Sequence, residues 1–119
     1  MAEMKTYTGG CHCGQVRYEA TTDLAQVVSC NCSICHKLGV VLTFVSPEQF
    51  KSLSGADHVK SYQFNKKVIN HLHCPTCGVE SYATGKGPDG KAMFAVNLRC
   101  VDGVDLSTLQ PFPYNGRDA

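Results

Sequence analysis

At 119 residues, with a formal net charge of +1 and a pI near 7.6, the chain has the size of one domain and offers no electrostatic match to nucleic acid. No segment approaches the roughly 18 apolar residues of a membrane span, and Met1–Gly10 lacks an apolar stretch of signal-peptide length, so a soluble, cytoplasmic protein is expected. In that reducing setting eight cysteines read as metal-binding or catalytic groups rather than as a disulfide framework.

In chain order, Gly9-Gly10 reads as a turn, and period-2 runs rich in Val, Tyr and Phe follow at Gln15–Ala20, Ala25–Ser29 and Val40–Val45. A helical turn is expected from Cys32 through His36 and Lys37 to Gly39. Ser46-Pro47-Glu48-Gln49 is a helix start, with Ser at N-cap, Pro at N1 and Gln at N3, and Gly55 limits that helix to two turns. Strand patterns resume at Val59–Phe64, Val68–Leu72 and Lys91–Leu98, separated by Gly55-Ala56-Asp57 and the Gly85–Gly90 segment GKGPDG. Asp102-Gly103 is a further turn, and Pro111–Ala119 is expected as an extended strap. The fold class is therefore mainly β with one or two short helices.

The cysteines form three spaced groups: Cys11 and Cys13, then Cys30, Cys32 and Cys35, then Cys74 and Cys77, with Cys100 alone. The two pairs supply four thiolates, enough to close a tetrahedral zinc site, whose sulfurs must lie roughly 3.8 Å apart for Zn–S bonds near 2.3 Å. On a strand, Cys11 and Cys13 would face one side; Pro75 stiffens the Cys74–Cys77 turn, and Gly78 can take φ > 0 so that amides point at the sulfurs. About 60 residues separate the pairs, far more than in a zinc finger, so this zinc is expected to hold the fold.

The triplet is different, because Cys30, Cys32 and Cys35 provide three thiolates and leave a fourth position open. An incoming thiol replacing water there would be held as a thiolate below its free pKa of about 8.5. His36, His71, His73 and Cys100 are the candidates for closing this site, which would make it a second structural zinc. Cys100 is otherwise a small core residue.

The set Cys11-His12-Cys13-Gly14, Cys30-Asn31-Cys32-Ser33-Ile34-Cys35 and Cys74-Pro75-Thr76-Cys77-Gly78 resembles the glutathione-dependent formaldehyde-activating enzyme family, which includes centromere protein V. The likeness extends to Lys37, Phe50, Gly55, Tyr62, Phe64, Val96-Asn97-Leu98-Arg99, Asp102-Gly103 and Tyr114-Asn115-Gly116-Arg117. It departs at His73, where the family often has an aromatic residue, at Val79, where Thr or Ser is frequent, and at Asn115, where Asp is usual. The resemblance implies an Mss4-like fold of several coiled antiparallel sheets stapled by zinc. It also implies two zinc ions per chain, a structural one on Cys11, Cys13, Cys74 and Cys77 and a catalytic one on Cys30, Cys32 and Cys35.

The activity so implied is that of a carbon–sulfur lyase acting on a glutathione adduct, with formation of S-hydroxymethylglutathione from glutathione and formaldehyde as the name reaction. Lys37, Arg99 and Arg117 are the basic residues available for the carboxylates of a glutathione partner. The alternatives are a non-enzymatic zinc module that binds a protein partner, and a relative of methionine-R-sulfoxide reductases, suggested by Leu98-Arg99-Cys100-Val101. The first predicts a triplet closed by a protein ligand. The second conflicts with the C-x-C pair and the extra triplet.

Overall fold

The computed structural model describes residues 4–24, 26–30, 33–63, 69–86 and 90–114. Cys32, the strand ends at Phe64 and Val68, the middle of the Gly85–Gly90 turn, and the tail with Asn115 and Arg117 lie outside the described residues.

Among the described residues the strands form two sheets. The smaller holds β1 (Lys5–Gly10), β2 (Arg17–Thr22) and β5 (Phe50–Ser54) in the order β1-β2-β5, all antiparallel. The larger contains β3 (Val27–Cys30), β4 (Leu42–Val45), β6 (Lys60–Tyr62), β7 (Asn70–His73), β8 (Tyr82–Lys86), β9 (Ala92–Asn97) and β10 (Phe112–Tyr114). Its order is β10-β3-β4-β9-β8-β7-β6, antiparallel throughout except that β10 runs parallel to β3. One helix, α1 (Ser33–Leu38), joins β3 to β4. The expected mainly-β class with short helices stands, and the strap beginning at Pro111 is in part an edge strand.

Three strands were hidden from the sequence pattern, β1, β5 and β8. Gly9-Gly10 reads as a turn, yet both residues end β1, and the reason is close approach. A Cβ on Gly9 would lie 2.8 Å from both the Cys100 carbonyl oxygen and the Tyr18 hydroxyl, and one on Gly10 would collide with the Val16 carbonyl. Glycine lets β1 lie against Val101, with which Gly9 forms a bridge.

The helix expected after Ser46 shortens to a single 3₁₀ turn, Pro47–Gln49. Its start is as read: the Gln49 side chain accepts from the Ser46 amide at 3.0 Å and from its hydroxyl at 3.2 Å. The next residue overrides propensity. Phe50 stacks on Phe94 with ring centroids 4.2 Å apart and on Tyr18 at 5.1 Å, and it meets Tyr82 at 4.8 Å, so the chain leaves helical geometry and pairs with β2. Long-range aromatic packing of this kind outweighs a local helix preference of a few tenths of a kcal/mol per residue.

These four rings join the sheets. Tyr18 is fully buried and donates to the Ser81 carbonyl at 3.2 Å. Around them Val27, Val45, Tyr82 and Val96 fill the inner face of the large sheet, packed against Val16 and Ala20. Alternation along the strands puts Cys30, Leu42, Phe44 and Ala95 on the other face, where α1 adds Ile34 and Cys35. Cys11, Cys74 and Cys77 thus pack with the first cluster and Cys30 and Cys35 with the second.

Candidate metal centre and thiol site

Cys11 and Cys13 do not lie on a strand as the C-x-C spacing suggested. They occupy the turn between β1 and β2, closed by the Cys11 amide donating to the Val16 carbonyl at 3.0 Å and by Gly14 at φ +86°. A turn serves the purpose better, because it lets backbone amides curl toward the sulfurs. The Val16 amide donates to Cys11 Sγ at 3.3 Å.

Cys74 and Cys77 form a second turn just past β7, and it matches the expectation. The Gly78 amide donates to the Cys74 carbonyl at 2.9 Å, Gly78 takes φ +81°, and the Thr76 amide donates to Cys74 Sγ at 3.4 Å. The Cys74 amide is held by the Val79 carbonyl at 3.0 Å. Gln15 ties the two turns together, its side-chain oxygen accepting from the Thr76 hydroxyl at 2.7 Å and the Cys74 thiol at 3.4 Å. Nothing in the spacing singled out Gln15.

The four ligand atoms lie within 4.8 Å of one another, and Cys13 Sγ is 3.6 Å from both Cys11 Sγ and Cys74 Sγ. That separation is close to what a tetrahedral thiolate site requires, so the cluster could hold a metal ion. The electrostatics agree. Cys77 is lowered to about 6, first by the Val79 amide and then by the Cys13 amide. Cys74 is lowered as well, chiefly by the Cys77 amide. Cys13 is raised to about 11: the Gln15 amide pulls it down, but loss of water and hydrogen bonds shared with Cys74, Cys11 and Cys77 outweigh that pull. Amides aimed at four crowded sulfurs favour thiolates, yet so many negative charges at this spacing need a cation among them.

On the opposite face of the large sheet, Cys30 ends β3, half-buried, and Cys35 is buried on α1. Both belong to one apolar cluster with Ile34, Val40, Leu42, Phe44 and Ala95. The helical turn expected from Cys32 to Gly39 is therefore present as α1 from Ser33. It ends at Gly39, φ +71°, whose amide donates to the Cys35 carbonyl at 2.9 Å. Arg99 Nε donates to the Gly39 carbonyl at 2.6 Å, which brings an exposed guanidinium to the end of the helix that carries Cys35. Lys37 is exposed on the same helix.

The candidate closing ligands are dispersed. His36 is exposed on α1, and His73 is half-buried on β7. His71 is buried on β7 with Nδ1 3.3 Å from a Glu80 carboxylate oxygen. Cys100 sits in the 3₁₀ turn Leu98–Cys100, where its sulfur accepts from the Asn97 side chain at 3.5 Å and its thiol lies 3.9 Å from the Glu80 carbonyl. Burial, and then the sulfurs of Cys11 and Cys77, push its thiol up to about 11. Burial thus favours the neutral thiol, against the reading as a methionine-sulfoxide-reducing cysteine. Of the two residues that build this buried polar shell, Asn97 lies in the Val96–Arg99 segment of the resemblance, while Glu80 carries no signal in the sequence.

Residues 6–112 match the model of the glutathione-dependent formaldehyde-activating enzyme family. The chain belongs to this family. The match spans every cysteine of the chain. A solved structure of a Rhodobacter sphaeroides protein from a structural genomics programme has the same fold, with a TM-score of 0.78 and 26% sequence identity. The alignment covers 91% of this chain and 99% of that one. Membership supports glutathione-dependent formaldehyde activation as the general function, and a glutathione-related thiol as substrate. Among the described residues no helix is long and apolar enough to cross a membrane.

Proposed function

We propose that this family member is a zinc-dependent carbon–sulfur bond-forming protein that joins glutathione and formaldehyde into S-hydroxymethylglutathione in the cytoplasm. Zinc on Cys11, Cys13, Cys74 and Cys77 would hold the fold, and a second zinc on Cys30, Cys32 and Cys35 would serve the reaction. The observation that carries this reading is the division of the cysteines. Four sulfurs gather in one cluster, while Cys30 and Cys35 belong to a separate apolar cluster apart from that set.

The reaction needs a thiolate, an electrophilic carbon and a proton acceptor. The glutathione sulfur bonds to the formaldehyde carbon, the carbon–oxygen π pair moves to oxygen, and oxygen gains the proton the thiol gave up. No electrons are exchanged with any other reactant. A zinc at the triplet would supply thiol acidification and Lewis acidity. The chain's own contribution is position. Cys35 is fixed by α1, whose end is pinned by Arg99, and Val40, Leu42 and Phe44 keep the cluster around Cys30 and Cys35 apolar. An apolar surround strengthens the interaction of developing charge with any nearby cation. Arg99 and Lys37 lie on the side where the tripeptide's carboxylates can be met.

Metal analysis combined with exchange NMR of formaldehyde and glutathione tests the reading. Expected are two zinc ions per chain and accelerated exchange in the wild type, against one zinc, unchanged circular dichroism and no acceleration in Cys35→Ser. Two tight zinc ions with no acceleration would instead favour a metal-stapled binding module. A single zinc in the wild type would refute the second site.

A further inference from the structure

A groove of about 430 Å³ opens at the edge of the large sheet, lined chiefly by Leu24, Val28, Phe44, Leu109 and Phe112, with Gln26 and Gln110 also on its wall. No charged side chain lines it. It adjoins the cluster that holds Cys30 and Cys35. Val28 and Cys30 are two residues apart on β3, so both face the same side about 7 Å apart. Phe44 both lines the groove and packs in the cluster that holds Cys30 and Cys35.

Two features mark the groove as built rather than incidental. Leu24 is the one described non-glycine residue with positive φ, at 58°, a conformation a branched aliphatic side chain rarely adopts. The Thr22 hydroxyl accepts from its amide at 3.1 Å and holds it there. The opposite wall is Phe112, which pairs with Val28 across the parallel β10–β3 edge and is 69% exposed, a large apolar surface left facing solvent.

The lining decides which reactant belongs there. The tripeptide of glutathione carries two carboxylates and an ammonium, none of which finds a charged partner in the groove. Those partners, Arg99 and Lys37, stand on the α1 side of the site. Formaldehyde has no apolar group to fill any of this volume, which is of the size that encloses an organic ligand.

We infer that the groove receives the carbon chain of a larger aldehyde, so that the substrate class extends from formaldehyde to aldehydes bearing an aryl or branched alkyl group. This rests on the thiol-addition reading above. The step is unchanged in balance: the thiol sulfur bonds to the aldehyde carbon, the π pair passes to oxygen, and oxygen takes the thiol's proton. The aldehyde's chain lies along Val28 toward Phe112 while its carbonyl carbon points to Cys30.

Exchange NMR of glutathione with phenylacetaldehyde and with formaldehyde is the primary test, run on the wild type, Phe112→Asp and Phe112→Leu. Acceleration over the uncatalysed reaction should be about tenfold greater for phenylacetaldehyde than for formaldehyde. That ratio should collapse in Phe112→Asp and survive in Phe112→Leu. A ratio at or below one in the wild type, or one untouched by Phe112→Asp, overturns the inference. A second measurement separates the groove from the reaction: amide shifts of Val28 and Leu109 on titration with 2-phenylethanol, which cannot react with a thiol. If neither aldehyde is accelerated, the thiol-addition reading falls. In that case shifts lost in Phe112→Asp sustain the groove as the aryl or alkyl site, and absence of shifts overturns it.

Discussion

Replacing Cys74 by Ser breaks the link between the first turn of the chain and the turn after β7. Cys13 Sγ and Cys74 Sγ are 3.6 Å apart in space and 61 positions apart in sequence. A metal bridging them removes loop-closure freedom from the unfolded chain as a covalent cross-link would. The chain-entropy relation for a loop of that length gives about 4 kcal/mol at 25 °C. The whole stability expected for a chain of this size is roughly 6–18 kcal/mol, so the loss is a large share of it. With a urea slope of about 2 kcal/mol/M, the unfolding midpoint should fall by about 2 M. Circular dichroism in urea on zinc-loaded wild type and Cys74→Ser measures this, with zinc content assayed in parallel. Wild type stripped by chelator should fall to a similar midpoint. A Cys74→Ser midpoint within about 0.5 M of the zinc-loaded wild type would falsify the idea that this cluster holds the fold.

Other perturbations reach different parts of the molecule. Tyr18→Phe removes a buried hydrogen bond, but the Ser81 carbonyl keeps the Asn97 amide at 3.0 Å, so the cost should stay near 1 kcal/mol by thermal or urea unfolding. A loss above about 3 kcal/mol would mean that the hydroxyl does more than this geometry allows. The Cys100 thiol is raised in the folded state to about 11 from 9.0. Its contribution is therefore complete below pH 9 and is lost as pH rises toward 11, and the stability gap between wild type and Cys100→Ala should narrow over that window in urea titrations. A gap that is constant or widens would contradict the burial of that thiol. Arg99→Gln frees the Gly39 carbonyl, and zinc titration should show about tenfold weaker binding of the second ion with the first unaffected. Equal weakening of both ions would show that Arg99 acts through the fold as a whole.

Much of the centre was legible from spacing alone. C-x-x-C and Gly78 specify a short turn with sulfurs and amides converging, because those constraints act over two to four residues and need no knowledge of the rest of the chain, whereas the C-x-C pair reads as strand and folds as a turn. The alternating runs of β2, β3, β4, β7 and β9 were visible for a similar reason, since one face of each meets the core. The unseen strands share a different cause. β1 is closed by Gly9-Gly10, a pair that mimics a turn until Cys100, Tyr18 and Val16 are brought against it. β5 follows a valid helix start and is drawn into the sheet by three distant rings.

The sequence by itself determined that four cysteines could pair into a tetrahedral set, that the triplet stood apart, and that the chain was mainly β. The tertiary structure alone decided that Cys30 and Cys35 pack in a different cluster from Cys11, Cys74 and Cys77. It joined Gln15 to Thr76 across the two turns, turned Arg99 onto the helix of Cys35, and set the Cys100 sulfur against Asn97 and Glu80. Those outcomes depend on strand order and register. They arise when β9, besides its sequence neighbour β8, pairs with β4, bringing residues such as Val45 and Phe94 from distant parts of the chain into register, and no local preference in the chain encodes that pairing.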